Sequence, residues 1–245
     1  MPNNRVAIIT GGAKRIGAEI VRALHAEGFD IALHYHSSDA EAHALQIELE
    51  AQRNASVLLL KADLSNTAAL PGLIEATIAR FGRLDALINN ASSFYPTPMG
   101  EISAAQFDDL FATNARAPLF LSQAAAPYLK ASAGVIVNMV DIYADRPLVR
   151  YTPYCMAKAA LVSLTYALAR ELGPEVRVNG VAPGNILWST NMEKAETPSI
   201  VLERTALKRQ GAPSDITSAI LFLVQGSGYI TGQILRVDGG RWLYI

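Results

Sequence analysis

Tyr154 and Lys158 stand four residues apart behind Thr152 and Pro153, where a helix begins. Threonine suits the cap, proline suits the first turn, and a spacing of four puts the phenol and the ammonium on one face. Reducing C=O or C=N by hydride transfer requires a proton at the heteroatom, and a tyrosine can deliver it. Its free pKa lies near ~10, and a neighbouring ammonium favours the phenolate and brings the group towards working pH. The same Lys158 is placed to hold the ribose of a nicotinamide nucleotide.

A second group of residues sits near the start of the chain. An apolar run leads into Thr10-Gly11-Gly12-Ala13-Lys14-Arg15-Ile16-Gly17, which opens a helix. Glycines let backbone approach a phosphate closely, and the helix N-terminus turns free N–H groups and a positive dipole end towards it. Gly11, Arg15 and Ile16 are therefore expected at the pyrophosphate. Further on, Leu33-His34-Tyr35-His36-Ser37-Ser38 contains no acid before Asp39. Proteins that select NAD place a carboxylate at the end of the second strand, where it would repel a 2′-phosphate. Here His34, His36, Ser37 and Arg15 would instead donate hydrogen bonds, with Tyr35 among them, so NADPH is the expected cofactor. Asp63, with Leu64 beside it, is placed to accept from the adenine amino group. Asn90, Ala91 and Ser92 follow the fourth strand, and Pro183 and Gly184 follow the sixth.

These residues need elements to hold them. Apolar or β-branched runs at 5–10, 30–35, 56–61, 85–89, 134–139, 175–181 and 233–237 read as strands. Helical patterns at 15–27, 40–52, 67–80, 104–130, 152–172 and 214–223 alternate with them, the long one open to division at Pro118. Alternation of this kind predicts one α/β domain over 1–245. Its expected form is a doubly wound (Rossmann), mostly parallel sheet of about seven strands with helices on both faces. Ligands of such sheets bind beyond the carboxyl ends of the strands, and the residues above all lie there.

Composition narrows the partners. With 51% hydrophobic and 18% charged residues the chain is no disordered segment, and a net charge of −1 leaves no excess of cations for a nucleic-acid footprint. The opening apolar run is too short for a secretory leader, and no uncharged stretch reaches membrane-spanning length. A single cysteine, Cys155, makes no internal disulfide and reads as small packing. The expected setting is cytoplasmic, without membrane, nucleic acid or metal.

The motifs resemble the short-chain dehydrogenase/reductase family, whose usual turn is Thr-Gly-x-x-x-Gly-x-Gly. Three positions depart from the usual pattern: Arg15 replaces the middle glycine, Ser92 follows Asn89-Asn90-Ala91 in place of glycine, and Asp141 stands where the family has serine. Together with the run Asn89–Pro98, these departures resemble the pteridine reductases, an NADPH-dependent branch. The resemblance implies that Asp141, Tyr154, Lys158 and Asn114 are catalytic, with Asn114 supporting a proton-relay water. It implies that Arg15, Ser92, Phe94, Asp141, Tyr154, Leu187 and Trp188 bind substrate, with Phe94 offering a flat face to a planar heterocycle. The implied reaction is hydride transfer to a dihydropterin or dihydrofolate, with oxidised pterin a further substrate, in a homotetramer. Residues 185–207 are expected to form the substrate lid. Arg241 onward is read either as an intersubunit segment or as a buried tail. Two other functions fit less of the pattern: reduction of a keto-sugar or 3-oxoacyl thioester, and a non-catalytic NADPH-binding regulatory role.

Overall fold

The strand β1 (Val6–Ile9) is apolar at every position and buried along its whole length, as a central strand covered on both faces must be. In the computed structural model, which describes residues 4–187, 197–226 and 228–245, the chain alternates from there. It continues through α1 (Arg15–Ala26), β2 (Asp30–Tyr35), α2 (Asp39–Glu50), β3 (Val57–Lys61), α3 (Leu70–Phe81) and β4 (Ala86–Asn89). The second half holds α4 (Ala104–Phe111), α5 (Ala117–Ser132), β5 (Val135–Met139), α6 (Thr152–Glu171), β6 (Arg177–Pro183), α7 (Pro198–Glu203), α8 (Pro213–Leu221) and β7 (Ile234–Val237). All seven strands pair in parallel in the order β3-β2-β1-β4-β5-β6-β7. The expected doubly wound sheet is therefore present. Between β1 and β4 the winding reverses, leaving a crevice at their carboxyl ends.

Side chains alternate across each strand, so β1 alone feeds two cores. Ala7 and Ile9 pack with Ile20 and Leu24 of α1, Leu45 of α2, and Ile216 and Ile220 of α8. Val6 and Ile8 face the opposite way, onto Leu73 of α3, Leu121 and Leu129 of α5, and Leu168 of α6. Each such Leu or Ile contributes roughly 1.5–3 kcal/mol on burial. The sheet between them becomes a rigid platform whose strand ends point side chains into the crevice.

Two local expectations are revised. The long helical stretch does divide, but at a π-helical turn, Ala112–Arg116, and Pro118 falls harmlessly in the first turn of α5. Of the expected lid, 188–196 lies outside the described residues. Its later part contains a short helix, α7, that the pattern had not marked, where the Thr197 hydroxyl accepts from the Ile200 N–H and Val201 is buried.

Candidate active site

The glycine turn is pinned from three sides. The Asn90 side-chain amide donates to the carbonyls of Thr10 (2.8 Å) and Gly11 (3.1 Å). The Thr10 hydroxyl in return accepts from the N–H groups of Asn90 and Ala91 at 2.9 and 3.0 Å. Gly17 closes the turn so tightly that a Cβ there would lie 2.1 Å from the Gly11 carbonyl oxygen. Arg15 occupies left-handed backbone, φ 53°, a conformation that favours glycine.

His34 supplies the third clamp. Its Nδ1 accepts from the Gly11 N–H at 3.2 Å, which leaves Nε2 to donate to the Ala62 carbonyl at 3.2 Å. Burial holds this imidazole neutral, with its pKa pushed down to about 4. A donor role for His34 towards a 2′-phosphate is therefore corrected. Its one N–H is already committed, because the side chain of a buried strand residue points into the protein.

The remaining predicted cofactor residues converge on one cavity of about 440 Å³. Gly11, Arg15, Ile16, Tyr35, His36, Ser37, Asp63, Leu64, Asn90, Ala91 and Ser92 all line it, as does His34. Lys14, Ser38, Ser93 and Thr113 line it too and had not been singled out, although Lys14 and Ser38 adjoin residues that were. No acidic residue occupies the first turn of α1, where the positive dipole end faces the cavity. Arg15 makes no ion pair among the described residues, whereas Lys14 meets Glu41 at 2.7 Å. Donor-rich walls, a helix N-terminus and a glycine cradle fit a phosphorylated nucleotide. Asp63 accepts from the N–H and hydroxyl of Ser65 at 2.8 Å each, which holds its carboxyl below the usual range. Pro183 and Gly184 stand apart from these walls, at the end of β6, where a Cβ on Gly184 would strike the Asp238 backbone at 2.7 Å.

The candidate catalytic residues gather after β5 and at the start of α6. Asp141 follows β5 and caps a 3₁₀ turn, one carboxylate oxygen accepting from the Tyr143 N–H at 2.9 Å. The other accepts from the Tyr154 hydroxyl at 2.6 Å. Lys158, one turn further along α6 and 2% exposed, donates to the Met139 carbonyl at 2.8 Å and stands 5.8 Å from the Tyr154 ring centroid.

This arrangement corrects the expectation that Lys158 draws the phenol pKa down. Burial and the Asp141 carboxylate push Tyr154 well above 10, because the anion touches the hydroxyl itself while the ammonium lies beyond the ring. Burial likewise raises Asp141, against the hydrogen bonds from Tyr143 and Tyr154 and the charge of Lys158. Burial lowers Lys158 to about 8, and Asp141 partly restores it. The unit is therefore a phenol bonded to a carboxylate, with an ammonium behind it.

Asn114 is buried in the π-helical turn, a geometry that turns its side chain out of helical register. Its amide donates to the carbonyls of Ser93 and Leu110 at 2.9 Å each, and it accepts from the Ser92 hydroxyl at 2.7 Å. Phe94 keeps only part of its surface for a ligand. One face stacks on Tyr151 at 4.5 Å and 14°, and Tyr154 meets it at 4.7 Å and 74°. Tyr151 was overlooked, although it precedes Tyr154 by three residues, a helical step. Leu187 is exposed and borders a surface groove with Arg15 and Lys14. Trp188 lies outside the described residues.

Comparison with known proteins agrees with this geometry. The family model described as enoyl-(acyl carrier protein) reductase matches residues 11–241. The chain belongs to the short-chain dehydrogenase/reductase family, a class of oxidoreductases that work with nicotinamide nucleotides. Among its relatives, pteridine reductase 1 of Leishmania tarentolae is 38% identical over 98% of this chain and 96% of its own. The 7alpha-hydroxysteroid dehydrogenase of Escherichia coli is 32% identical, covering 97% and 94%. A 3-oxoacyl-[acyl-carrier-protein] reductase of Staphylococcus epidermidis is 30% identical, covering 98% and 100%. Within the family the chain stands with the pteridine reductase branch. No helix among the described residues is long and apolar enough to cross a membrane.

Proposed function

We propose that this protein is an NADPH-dependent pteridine reductase that converts a dihydropterin or dihydrofolate to its tetrahydro form. The observation that carries the reading is the 2.6 Å contact between the Tyr154 hydroxyl and Asp141. A serine there would offer a neutral donor to a carbonyl. An ionised carboxylate only accepts, which suits a substrate rich in N–H and amino groups. When bound, NADPH supplies the hydride. Arg15 and the N-terminus of α1 would hold its phosphates, His36 and Ser37 its 2′-phosphate, and Lys158 its nicotinamide ribose. Asp141 would hold the pterin amino edge, and Tyr154, released from Asp141 by that exchange, would deliver the proton to the ring nitrogen. The conjugated ring would lie along the edge of Phe94 and the Ser92 hydroxyl. A cytoplasmic homotetramer belongs to the same reading.

The test is NADPH oxidation measured with dihydrofolate, dihydrobiopterin, a simple ketone and a 3-oxoacyl thioester. Pterin turnover is expected. Turnover of the ketone or thioester without either pterin would sink the proposal. Tyr154→Phe is expected to lower pterin turnover by roughly 10²–10⁴-fold while NADPH still binds, as judged by nucleotide fluorescence.

A further inference from the structure

We propose that Asn138 and Thr165 are positioning residues, which fix α6 on the sheet and so set where Tyr154 and Lys158 meet the reacting atoms. This inference rests on the reading above in one respect, that Tyr154 and Lys158 serve the reaction. Two asparagines stand side by side in the sheet: Asn89 and Asn138 are register partners in β4 and β5, and both are buried. Strand alternation turns them towards α5 and α6, on the face that carries Leu87 and Ile136. Among such apolar neighbours an amide is costly unless its hydrogen bonds are made.

The two amides form a directed chain that ends on α6. Asn89 Nδ2 donates to Asn138 Oδ1 at 2.8 Å, and Asn138 Nδ2 donates to the Thr165 hydroxyl at 2.9 Å. That hydroxyl, itself buried, spends its own proton on the Leu161 carbonyl at 2.8 Å, so towards Asn138 it only accepts. Thr165 lies seven residues, two turns, beyond Lys158, and the two share one stripe of the helix. Lys158 is bonded to the carbonyl of Met139, the neighbour of Asn138. The helix is therefore tied to the end of β5 at two points on one face.

These ties do what apolar packing cannot. Burial of Leu161 and Leu168 holds α6 against the protein, but that force has no direction and resists sliding or turning of the helix only weakly. Hydrogen bonds have both length and angle, and they fix the helix along and about its axis. Tyr154, one turn before Lys158, then meets Asp141, two residues beyond Met139, at 2.6 Å. Asn89 carries the same constraint towards the glycine turn, because the next residue, Asn90, holds the Thr10 and Gly11 carbonyls. A misplacement of about 1 Å at reacting groups costs up to roughly 10²-fold in rate, so the placement of α6 bears directly on turnover.

The experiment measures kcat and KM with NADPH for dihydrobiopterin, dihydrofolate, a simple ketone and acetoacetyl-CoA, with NADPH affinity followed by nucleotide fluorescence. Thr165→Val keeps the shape of the side chain and removes the acceptor. On the substrate that the wild type turns over, its kcat is expected to fall about ten-fold or more, with KM and NADPH affinity within about three-fold. Thr165→Ser, which keeps the acceptor, is expected to recover kcat to within about two-fold of wild type. The N138L/T165V double variant leaves neither end of that bond unpaired, which favours a retained fold, and its kcat is expected to stay low. A kcat within about two-fold of wild type in Thr165→Val or in the double variant overturns the positioning role. An equal loss of kcat and NADPH affinity, or a Thr165→Ser as slow as Thr165→Val, does the same. Turnover of the ketone or thioester without either pterin overturns the pteridine reading alone, and the variants are then read on that substrate. Absence of wild-type turnover with all four substrates overturns both.

Discussion

Asp141 acts on the protonation of the two groups nearest to it, and it favours the protonated form of both. Its charge raises the Tyr154 phenol, keeping the proton on the donor, and it raises the Lys158 ammonium against burial. Lys158 falls to about 8, so the ammonium is present below that pH and is lost as pH rises through it. The pH profile of kcat/KM for the nucleotide reports groups of the free enzyme, and it is expected to decline on the alkaline side near 8. Asp141→Asn removes the upward pull on Lys158 but leaves its burial. The alkaline limb should therefore move to lower pH, with turnover falling far more than nucleotide affinity. An alkaline limb that stays in place would show that Lys158 does not sense Asp141.

At the scale of elements, the site depends on how the end of β2 holds the turn after β1. His34 makes that connection only as a neutral ring. The unfolded imidazole takes a proton near ~6.5, whereas the folded one resists until about 4. The stabilisation is thus fully present above ~6.5 and is lost as pH falls towards 4, by up to about 3 kcal/mol. His34→Ala should be less stable than wild type at neutral pH, and the gap should narrow between pH 6.5 and 4 in denaturant titrations. A constant gap would mean that His34 is not the acid-sensitive clamp. His34 also shows where sequence reading stops. The alternation of strands and helices, the glycine turn and the Tyr154–Lys158 step were legible because each is a local pattern with a fixed period or spacing. Which way the His34 ring faces depends on the neighbouring β3 chain, through Ala62, and no local pattern encodes it. The π-helical turn at Asn114 and the inward face of Phe94 were illegible for the same reason. Each is settled by a partner distant in sequence, Ser93 for one and Tyr151 for the other.

The whole molecule joins two cores through one sheet, and the candidate nucleotide cavity lies at the crevice where the sheet's winding reverses. A ligand seated there touches the ends of β1, β2 and β4 together with α1. It binds the folded chain and has no counterpart site in the unfolded one. The global stability must then rise with ligand concentration, by about 2.7 kcal/mol at a hundred-fold excess over Kd. For a chain of this length each kcal/mol corresponds to roughly 2–4 °C, so saturating NADPH should raise the melting temperature by about 5–10 °C. The end of β2 presents His36 and Ser37 but no carboxylate, so on the NADPH reading proposed above the 2′-phosphate would meet donors that NADH would forgo. A ten-fold weaker NADH would give a shift smaller by about 1.4 kcal/mol, or roughly 3–5 °C. Melting curves with the two nucleotides at equal concentration decide the matter. Equal shifts, or a larger one with NADH, would remove the 2′-phosphate from the recognition scheme and leave Arg15 to serve the pyrophosphate and the substrate alone.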